Sequence, residues 1–462
     1  MDYRKSKVKI ACAGAGKTYS MAEEILKYDK LNKEDKDIIA ITYTNNAKDN
    51  IYKNIFKQKN IIPEKIKINT IHSFLLEYII YPYSNYVLSK TYTKATSIPL
   101  SPNVVFKNKR ISELEKQNII HNDKVFNLAK QIVVPSNNDN VQKKEKKKNV
   151  LEHIKACISA IFIDESQDLD NDCLKIMEYL GKNKVFIYMI GDTKQALKYP
   201  KVYDDFVQKV SENKIQNFEK LPNNNITRRL PKTHVMLSNL ICIDSQKQKT
   251  KKRNKGTINY IYTDDPNFTK IYNSFQNEQS ICYIKRKSNL FNTHSQNGKK
   301  IDSLLLNEIL INKNKTDDED AFLYEKIKEL YNNIEQSQNI SKGLYYFAKN
   351  NNIYLSKINY AKIASSLEEY SNFKQFNVLS IDKIKGLEKE NCMFILDDSL
   401  LEYLFEEKQV QNKEKNYLYV GLTRSTNFLL LVVDNSNLKK FNKLYIDMMM
   451  KKLNIEKYNV DI

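Results

Sequence analysis

Residues Ala11-Cys-Ala-Gly-Ala-Gly-Lys-Thr18 lie between a short β-rich apolar run, Val8 to Ile10, and a helical pattern that starts near Thr18. No other segment restricts the fold as much. Glycines let backbone amides close around an anion, a lysine neutralises outer phosphates, and a following hydroxyl can face a divalent cation. Ala13, Gly14, Ala15, Gly16, Lys17 and Thr18 are therefore candidate nucleotide-phosphate ligands, with Thr18 also a metal ligand. Strand, tight turn and helix open a parallel α/β unit, and the chain goes on alternating in that way. Apolar runs at Asp37 to Ile41, Ile66 to Asn69, Ala160 to Ile163 and Val185 to Ile190 are predicted strands. After Leu221 to Asn225 a second set begins with a helix near Thr233 to Ile243 and a basic loop from Lys247 to Lys255. Strands are then predicted at Ile258 to Tyr262, Ser280 to Ile284, Asn377 to Ser380, Cys392 to Leu396 and Leu429 to Val433.

Two such sets predict two α/β lobes, residues 1–225 and 226–462, each interrupted by a polar, mainly helical insertion. The first insertion is expected at about 81–150, ending in the run Lys143, Lys144, Glu145, Lys146, Lys147, Lys148, which reads as a mobile basic edge; the second is expected at about 290–370. Lys plus Arg number 75 against 55 Asp plus Glu, a net charge of +20 that attracts polyanions, nucleic acid ahead of an anionic membrane. With 41% hydrophobic and 28% charged residues the chain is not generally disordered. The six cysteines are scattered with no CxxC pair, which points away from zinc and iron–sulfur sites. No apolar run approaches the ~20 residues of a membrane span, so a cytoplasmic protein with no membrane partner is expected.

A second apolar run ends in acids: Ile161-Phe-Ile-Asp-Glu-Ser-Gln-Asp168. In a parallel sheet the carboxyl ends of strands face the ligand, so Asp164 is placed to hold a metal and Glu165 to orient or deprotonate an attacking water. A third strand ends in Gly191-Asp-Thr-Lys-Gln195, where the Gln195 amide can sense a γ-phosphate.

In order, these segments resemble the UvrD/Rep-like helicases of superfamily 1, over residues 8 to about 435. Thr42-Tyr-Thr-Asn45 and Thr70-Ile-His-Ser-Phe74 look like the family's DNA-contacting segments, and Asp164, Glu165, Gln167 and Asp168 match its DExQD box. Arg229 and Asn239 fall at the spacing of the fourth motif, Ser380-Ile-Asp-Lys-Ile-Lys-Gly-Leu-Glu388 resembles the fifth, and Tyr419-Val-Gly-Leu-Thr-Arg424 the sixth. The resemblance implies two RecA-like lobes of a P-loop NTPase that hydrolyses ATP with Mg2+ in the cleft between them. Lys17, Glu165, Gln195, Arg229 and Arg424 would carry the chemistry, with Arg229 and Arg424 reaching the γ-phosphate. Arg228, Gly386 and Glu388 would line the nucleotide, Glu388 at the ribose. Thr42, Tyr43, Thr44, Asn45, Thr70, His72, Ser73, Phe74 and Ser380 would face single-stranded or partly duplex DNA, moved 3′ to 5′. From the residues alone, Tyr43 and His72 read equally as buried side chains, and Phe74 reads rather as a core aromatic.

The chain departs from the family at four places. The first glutamine is Gln58, so nothing upstream of Ala11 can read adenine as the family's glutamine does. Arg228 replaces a base-stacking tyrosine, Ala196 to Pro200 replace base-pocketing aromatics, and Asp382 replaces a histidine. The compact insertions also resemble the helicase-like component of the Gabija anti-phage system. The alternative expectation is therefore a nucleotide-hydrolysing regulatory or effector subunit acting beside a nuclease partner; repair, replication and defence all use such an engine.

Overall fold

The computed structural model describes residues 3–101, 103–288, 290–293, 302–313, 318–337, 339–369, 376–408 and 410–459. Parts of the second expected insertion, 294–301 and 314–317 among them, lie outside the described residues. The chain forms two units: residues 1–79, 126–293 and 377–462 make the first, and 80–125 with 294–376 make the second.

The first unit holds two parallel sheets, the two RecA-like lobes. In the six-stranded sheet the spatial order is Ile66–Thr70, Asp37–Thr42, Ile158–Ile163, Phe186–Gly191, Ser6–Ile10, Phe218–Lys220, and every pairing is parallel. Ile158–Ile163 and Phe186–Gly191 are buried at every position, which is why they appear in the sequence as unbroken apolar runs. Helix Lys17–Leu31 lays Met21, Ala22, Ile25 and Tyr28 on this sheet.

The seven-stranded sheet runs Phe291–Thr293, Phe376–Ser380, Ser280–Ile284, Lys389–Leu396, Ser425–Val433, Thr257–Tyr262, Glu456–Lys457. The pairings from Phe376–Ser380 to Glu456–Lys457 are parallel. Helix Lys413–Leu422 is buried from Lys415 to its end. It lies close on the sheet because position 421 is glycine: a Cβ there would sit 2.2 Å from the Phe394 ring, and the Gly421 carbonyl accepts a 2.6 Å hydrogen bond from Tyr283 Oη.

The second unit is mainly helical, with one short parallel pair, Lys94–Thr96 beside Ile119–His121. Residues from both insertions share a core, Ile98, Leu114 and Ile119 packing with Ala321 and Tyr324. Asp318 staples the two segments, taking Arg110 Nη2 at 2.5 Å and Gln117 Nε2 at 3.3 Å. Burial pushes the Asp318 carboxyl up, but Arg110 outweighs it and holds the group below its ordinary range.

The lysine run corrects an expectation. It is no mobile edge but part of helix Val141–Cys157, capped by Asn140. Lys147 is buried, its ammonium bound to Asp139 at 2.6 Å and to the Val134 carbonyl at 2.9 Å, so one cation of the run is a structural pin.

Helix Lys232–Asn239 buries His234 completely, and its Nε2 has no partner among the described residues. Burial, then the charge of Lys252, holds its pKa down at about 4 instead of 6.5. Below pH 6.5 the unfolded chain takes up a proton that the folded chain refuses, so stability falls as pH drops from 6.5 towards 4, by at most about 1.4 kcal/mol per unit. Urea unfolding at pH 7, 6 and 5 should show that slope reduced in His234→Gln; an unchanged slope means the imidazole is protonated in the fold.

Candidate active site

Three strand ends of the first sheet build one side of the site. Gly14 and Gly16 adopt φ of +71° and +78°, curling the turn after Ser6–Ile10 so that helix Lys17–Leu31 starts at its mouth. The Thr18 hydroxyl donates to Asp164 Oδ2 at 2.6 Å. Glu165 takes the left-handed conformation at φ +52°, rare for a non-glycine residue, and its amide donates to Asp164 Oδ1 at 2.9 Å. Its own carboxylate accepts from Gln167 Nε2, and Gln167 Oε1 in turn takes the Asp192 amide at 2.9 Å.

Asp164 and Glu165 divide the electrostatics between them. Burial and then the charge of Glu165 push the Asp164 carboxyl up. Burial pushes Glu165 up as well, but Lys17, Lys385, Gln167 and Arg424 outweigh it and leave the group below its usual range, ionised and able to accept a proton. Two adjacent carboxylates, one of them reluctant to ionise, are a donor set that a divalent cation relieves. Lys17 makes no side-chain hydrogen bond or salt bridge among the described residues, and the Cβ position of Gly16 opens onto empty space. The residues present therefore fit a phosphate with Mg2+.

The second lobe closes the other side. Arg424, 1% exposed, donates through Nη2 to Gln195 Oε1 at 3.1 Å and through Nε to the Val420 carbonyl at 3.0 Å. Burial and then Arg229 lower its pKa to about 10, which still leaves it charged at neutral pH. Arg229 Nε donates to Glu388, and Arg229 Nη1 to the Thr423 carbonyl at 3.3 Å. The two side chains expected at the γ-phosphate and the ribose thus satisfy each other, as opposite charges in contact will. The exposed Arg228 gives its amide to the Gly14 carbonyl at 2.8 Å, and Gly386, φ +83°, is open around its Cβ position.

The residues expected to face DNA differ in their placement. Thr44 Oγ1 caps helix Asn45–Lys59, and Thr70 Oγ1 caps Ile71–Leu75 while sharing a 2.9 Å hydrogen bond with Ser73. Ser380 stands at the N-cap of Ile381–Ile384 without a side-chain bond to it. Phe74 is fully buried and stacks on Tyr78, whereas Asn45 is exposed. Thr42 is buried, its hydroxyl without a partner among the described residues. Tyr43 meets the edge of His72 and carries Lys198 over its ring, Nζ 4.0 Å from the centroid and 2.9 Å from the hydroxyl.

Several residues of the site had not been singled out for a role. Lys385 grips both oxygens of Asp168 at 2.5 Å across the lobes. Tyr419 joins Asp192, Ala13 and Gln248, and Asn239 holds Gln248 by both backbone groups, at 2.8 and 3.0 Å. All but Gln248 lie in the motif segments quoted above. Asp382, an unexplained acid in the sequence, accepts from Tyr417 Oη at 3.4 Å and acts on the charge of Lys198.

Residues 3–200 match the family model described as an AAA domain, a match over less than half of the chain. No curated protein matches the chain. Among solved structures it is similar to the Arterivirus nonstructural protein 10 (helicase), at 10% identity and TM-score 0.36, covering 96% of this chain and 61% of that one. The same viral helicase in complex with DNA gives 8% identity and TM-score 0.37, covering 97% and 63%. The chain thus spans about three fifths of the length of those proteins.

A Cβ on Gly14 would lie 2.3 Å from Arg229 Cβ and 2.6 Å from Thr227 Oγ1, whereas one on Gly16 would meet nothing within 4 Å. Gly16→Ala should therefore lose only the left-handed backbone cost, about 1–2 kcal/mol, and Gly14→Ala that cost plus the clash with the second lobe. Denaturant unfolding of the two variants checks this; equal losses would mean that Arg229 yields freely.

Proposed function

We propose that the chain is an NTP-dependent motor of the UvrD type, a DNA helicase or translocase that hydrolyses ATP between its two RecA-like lobes while moving 3′ to 5′ on single-stranded DNA. In this reading residues 1–225 and 226–462 are the motor lobes. The observation that carries it is the hydrogen bond between Gln195 of the first lobe and Arg424 of the second, within the site that also holds Lys17, Thr18, Asp164 and Glu165. Phosphoryl transfer asks a protein mainly for positioning and positive charge, and charge supplied from the opposite lobe ties the reaction to lobe movement.

Mg2+ held by Thr18 and Asp164 would neutralise phosphate charge. Lys17, Arg229 and Arg424 carry the remaining positive charge, Gln195 orients the attacking water, and Glu165 accepts its proton. With Arg228 exposed, base selectivity should be broad, so GTP should serve as well as ATP.

The net charge of +20 supports nucleic acid as the track. Lys198 over Tyr43 supports contact with phosphates at that point in place of a stacked base. A second reading, a subunit whose nucleotide state is read by a nuclease partner, draws on the exposed apolar run Val104, Val105 and Phe106, 67, 72 and 62% exposed. Full DNA-stimulated turnover by the chain alone counts against it.

Phosphate release from ATP and GTP, measured with and without oligo(dT), tests the proposal. DNA should stimulate the wild type, Glu165→Gln should lose about 10²–10⁴-fold and Lys17→Ala should be inactive with its fold intact. Retained turnover in Lys17→Ala would sink the assignment. For the track, an oligonucleotide with abasic sites should bind within about threefold of oligo(dT), and Lys198→Gln should reduce the salt slope by about 0.7. A loss well beyond about tenfold on removing the bases would instead put a base on Tyr43, since stacking contributes ~1–3 kcal/mol.

A further inference from the structure

We infer that Tyr419 is a positioning residue for the proposed hydrolysis, its buried hydroxyl transmitting the placement of the second lobe to Gln195 and to the phosphate-binding turn. The inference rests on the proposed function and adds to it a residue through which the lobes would be linked.

Tyr419 lies in the buried helix Lys413–Leu422 of the second lobe and is 1% exposed. Its hydroxyl donates to Asp192 Oδ2 at 3.1 Å and accepts from the Ala13 amide at 3.4 Å and from Gln248 Nε2. All of a phenol's bonding capacity is thereby used at one point. Asp192 and Ala13 belong to two different strand ends of the first sheet.

Asp192 Oδ2 is also the oxygen that accepts from Gln195 Nε2, at 3.0 Å. Gln195 Oε1 accepts from Arg424, which follows the same helix as Tyr419. The hydrogen bonds therefore close a ring: helix Lys413–Leu422, Tyr419, Asp192, Gln195, Arg424 and back to the helix. A shift of that helix along the first sheet must stretch the Tyr419–Asp192 bond, and Gln195 is held by the acceptor that moves.

The rest of the surroundings fix the ring in place. Lys194 Nζ lies 5.0 Å from the Tyr419 ring centroid and 3.3 Å from Asp192 Oδ1. Gln248 is itself held by Asn239. A hydroxyl that only satisfied a buried donor would not need to share its acceptor with the side chain proposed to orient water.

The test is a double-mutant cycle on the purified full chain, read as ATP hydrolysis at saturating oligo(dT). Tyr419→Phe keeps the ring and its contact with Lys194 and removes only the hydroxyl. Its kcat should fall about 10- to 100-fold, with KM for ATP within about threefold of wild type, as expected when a reacting geometry is loosened and binding is kept. Because Tyr419 is proposed to act through Gln195, Tyr419→Phe should add less than about twofold to the loss in Gln195→Ala. A kcat within twofold of wild type, or losses that multiply in the double variant, overturns the inference. If Tyr419→Phe does not fold, Gln248→Leu, which removes a donor from the same hydroxyl, takes its place with the same expected non-additivity, and multiplying losses overturn the inference there too. A wild-type chain that releases no phosphate overturns the proposed function and this inference with it. A wild type that turns over while Tyr419→Phe equals it overturns this inference alone.

Discussion

Asp192 is a carboxylate with no exposed surface, and the centre of the first unit is arranged around its charge. Burial pushes the group towards its neutral form, yet Lys194, Lys17 and the Gln195 amide outweigh that and keep it below its ordinary range. A buried charge costs several kcal/mol unless donors surround it. Here the donors are the Lys194 amide and ammonium, Gln195 Nε2 and Tyr419 Oη, and the last of these comes from the other lobe. The first sheet alone therefore leaves this carboxylate one donor short, and the docked helix Lys413–Leu422 completes it. The lobes are held together at this point by polar satisfaction as well as by apolar area.

Outward from this buried centre the contacts become ion pairs of increasing exposure. Lys385 and Asp168 are still largely covered, with side chains 14% and 7% exposed, while Glu388 opposite Arg229 is 54% exposed. Exposed pairs contribute little and exchange readily with another anion. In the proposed motor this gradient separates permanent contacts from replaceable ones: Glu388 can give up Arg229 to a phosphate at little cost, whereas Asp192 cannot give up its donors. Asp382 belongs to the replaceable set. Asp382 is an acid and Lys198 a base. Their opposite charges act on each other. The two residues, separate in sequence, offset part of each other's charge in space.

The same division explains what could be seen in the sequence. Strands buried on both faces were legible, because such strands must be continuous apolar runs: Ile158–Ile163, Phe186–Gly191 and the buried part of Lys389–Leu396, Cys392 to Leu396, overlap predicted segments. The short edge strands Phe218–Lys220, Phe291–Thr293 and Glu456–Lys457 were not, since an edge of two or three residues has no pattern of its own. The lysine run at 143–148 was misleading because charge density says nothing about a single partner such as Asp139. At the site, the glycine turn after Ser6–Ile10 and the acids after Ile158–Ile163 fall at strand ends as expected, because a left-handed turn restricts residue type. Phe74 was not legible, because an aromatic side chain reads the same in sequence whether it enters the core or faces a ligand. Neither was the joining of the two insertions through Asp318, an acid among many.

Helix Lys413–Leu422 brings these strands of argument together. A helix buried on all sides is expected to be apolar all round, but this one includes Asn416 and leads into Thr423 and Arg424. Each polar group is used on a specific partner. Asn416 Nδ2 reaches the Ala196 carbonyl of the first lobe at 2.8 Å, Thr423 Oγ1 turns back to Tyr419 O at 2.8 Å, and Arg424 takes Gln195. Apolar packing on Phe394 and its neighbours would tolerate small slides of the helix, because burial is nearly non-directional. Hydrogen bonds of fixed length and angle do not. Polar residues in a fully buried helix therefore convert an adjustable contact into one with a defined register. The motor proposed above, whose lobes would meet over one phosphate, depends on that register.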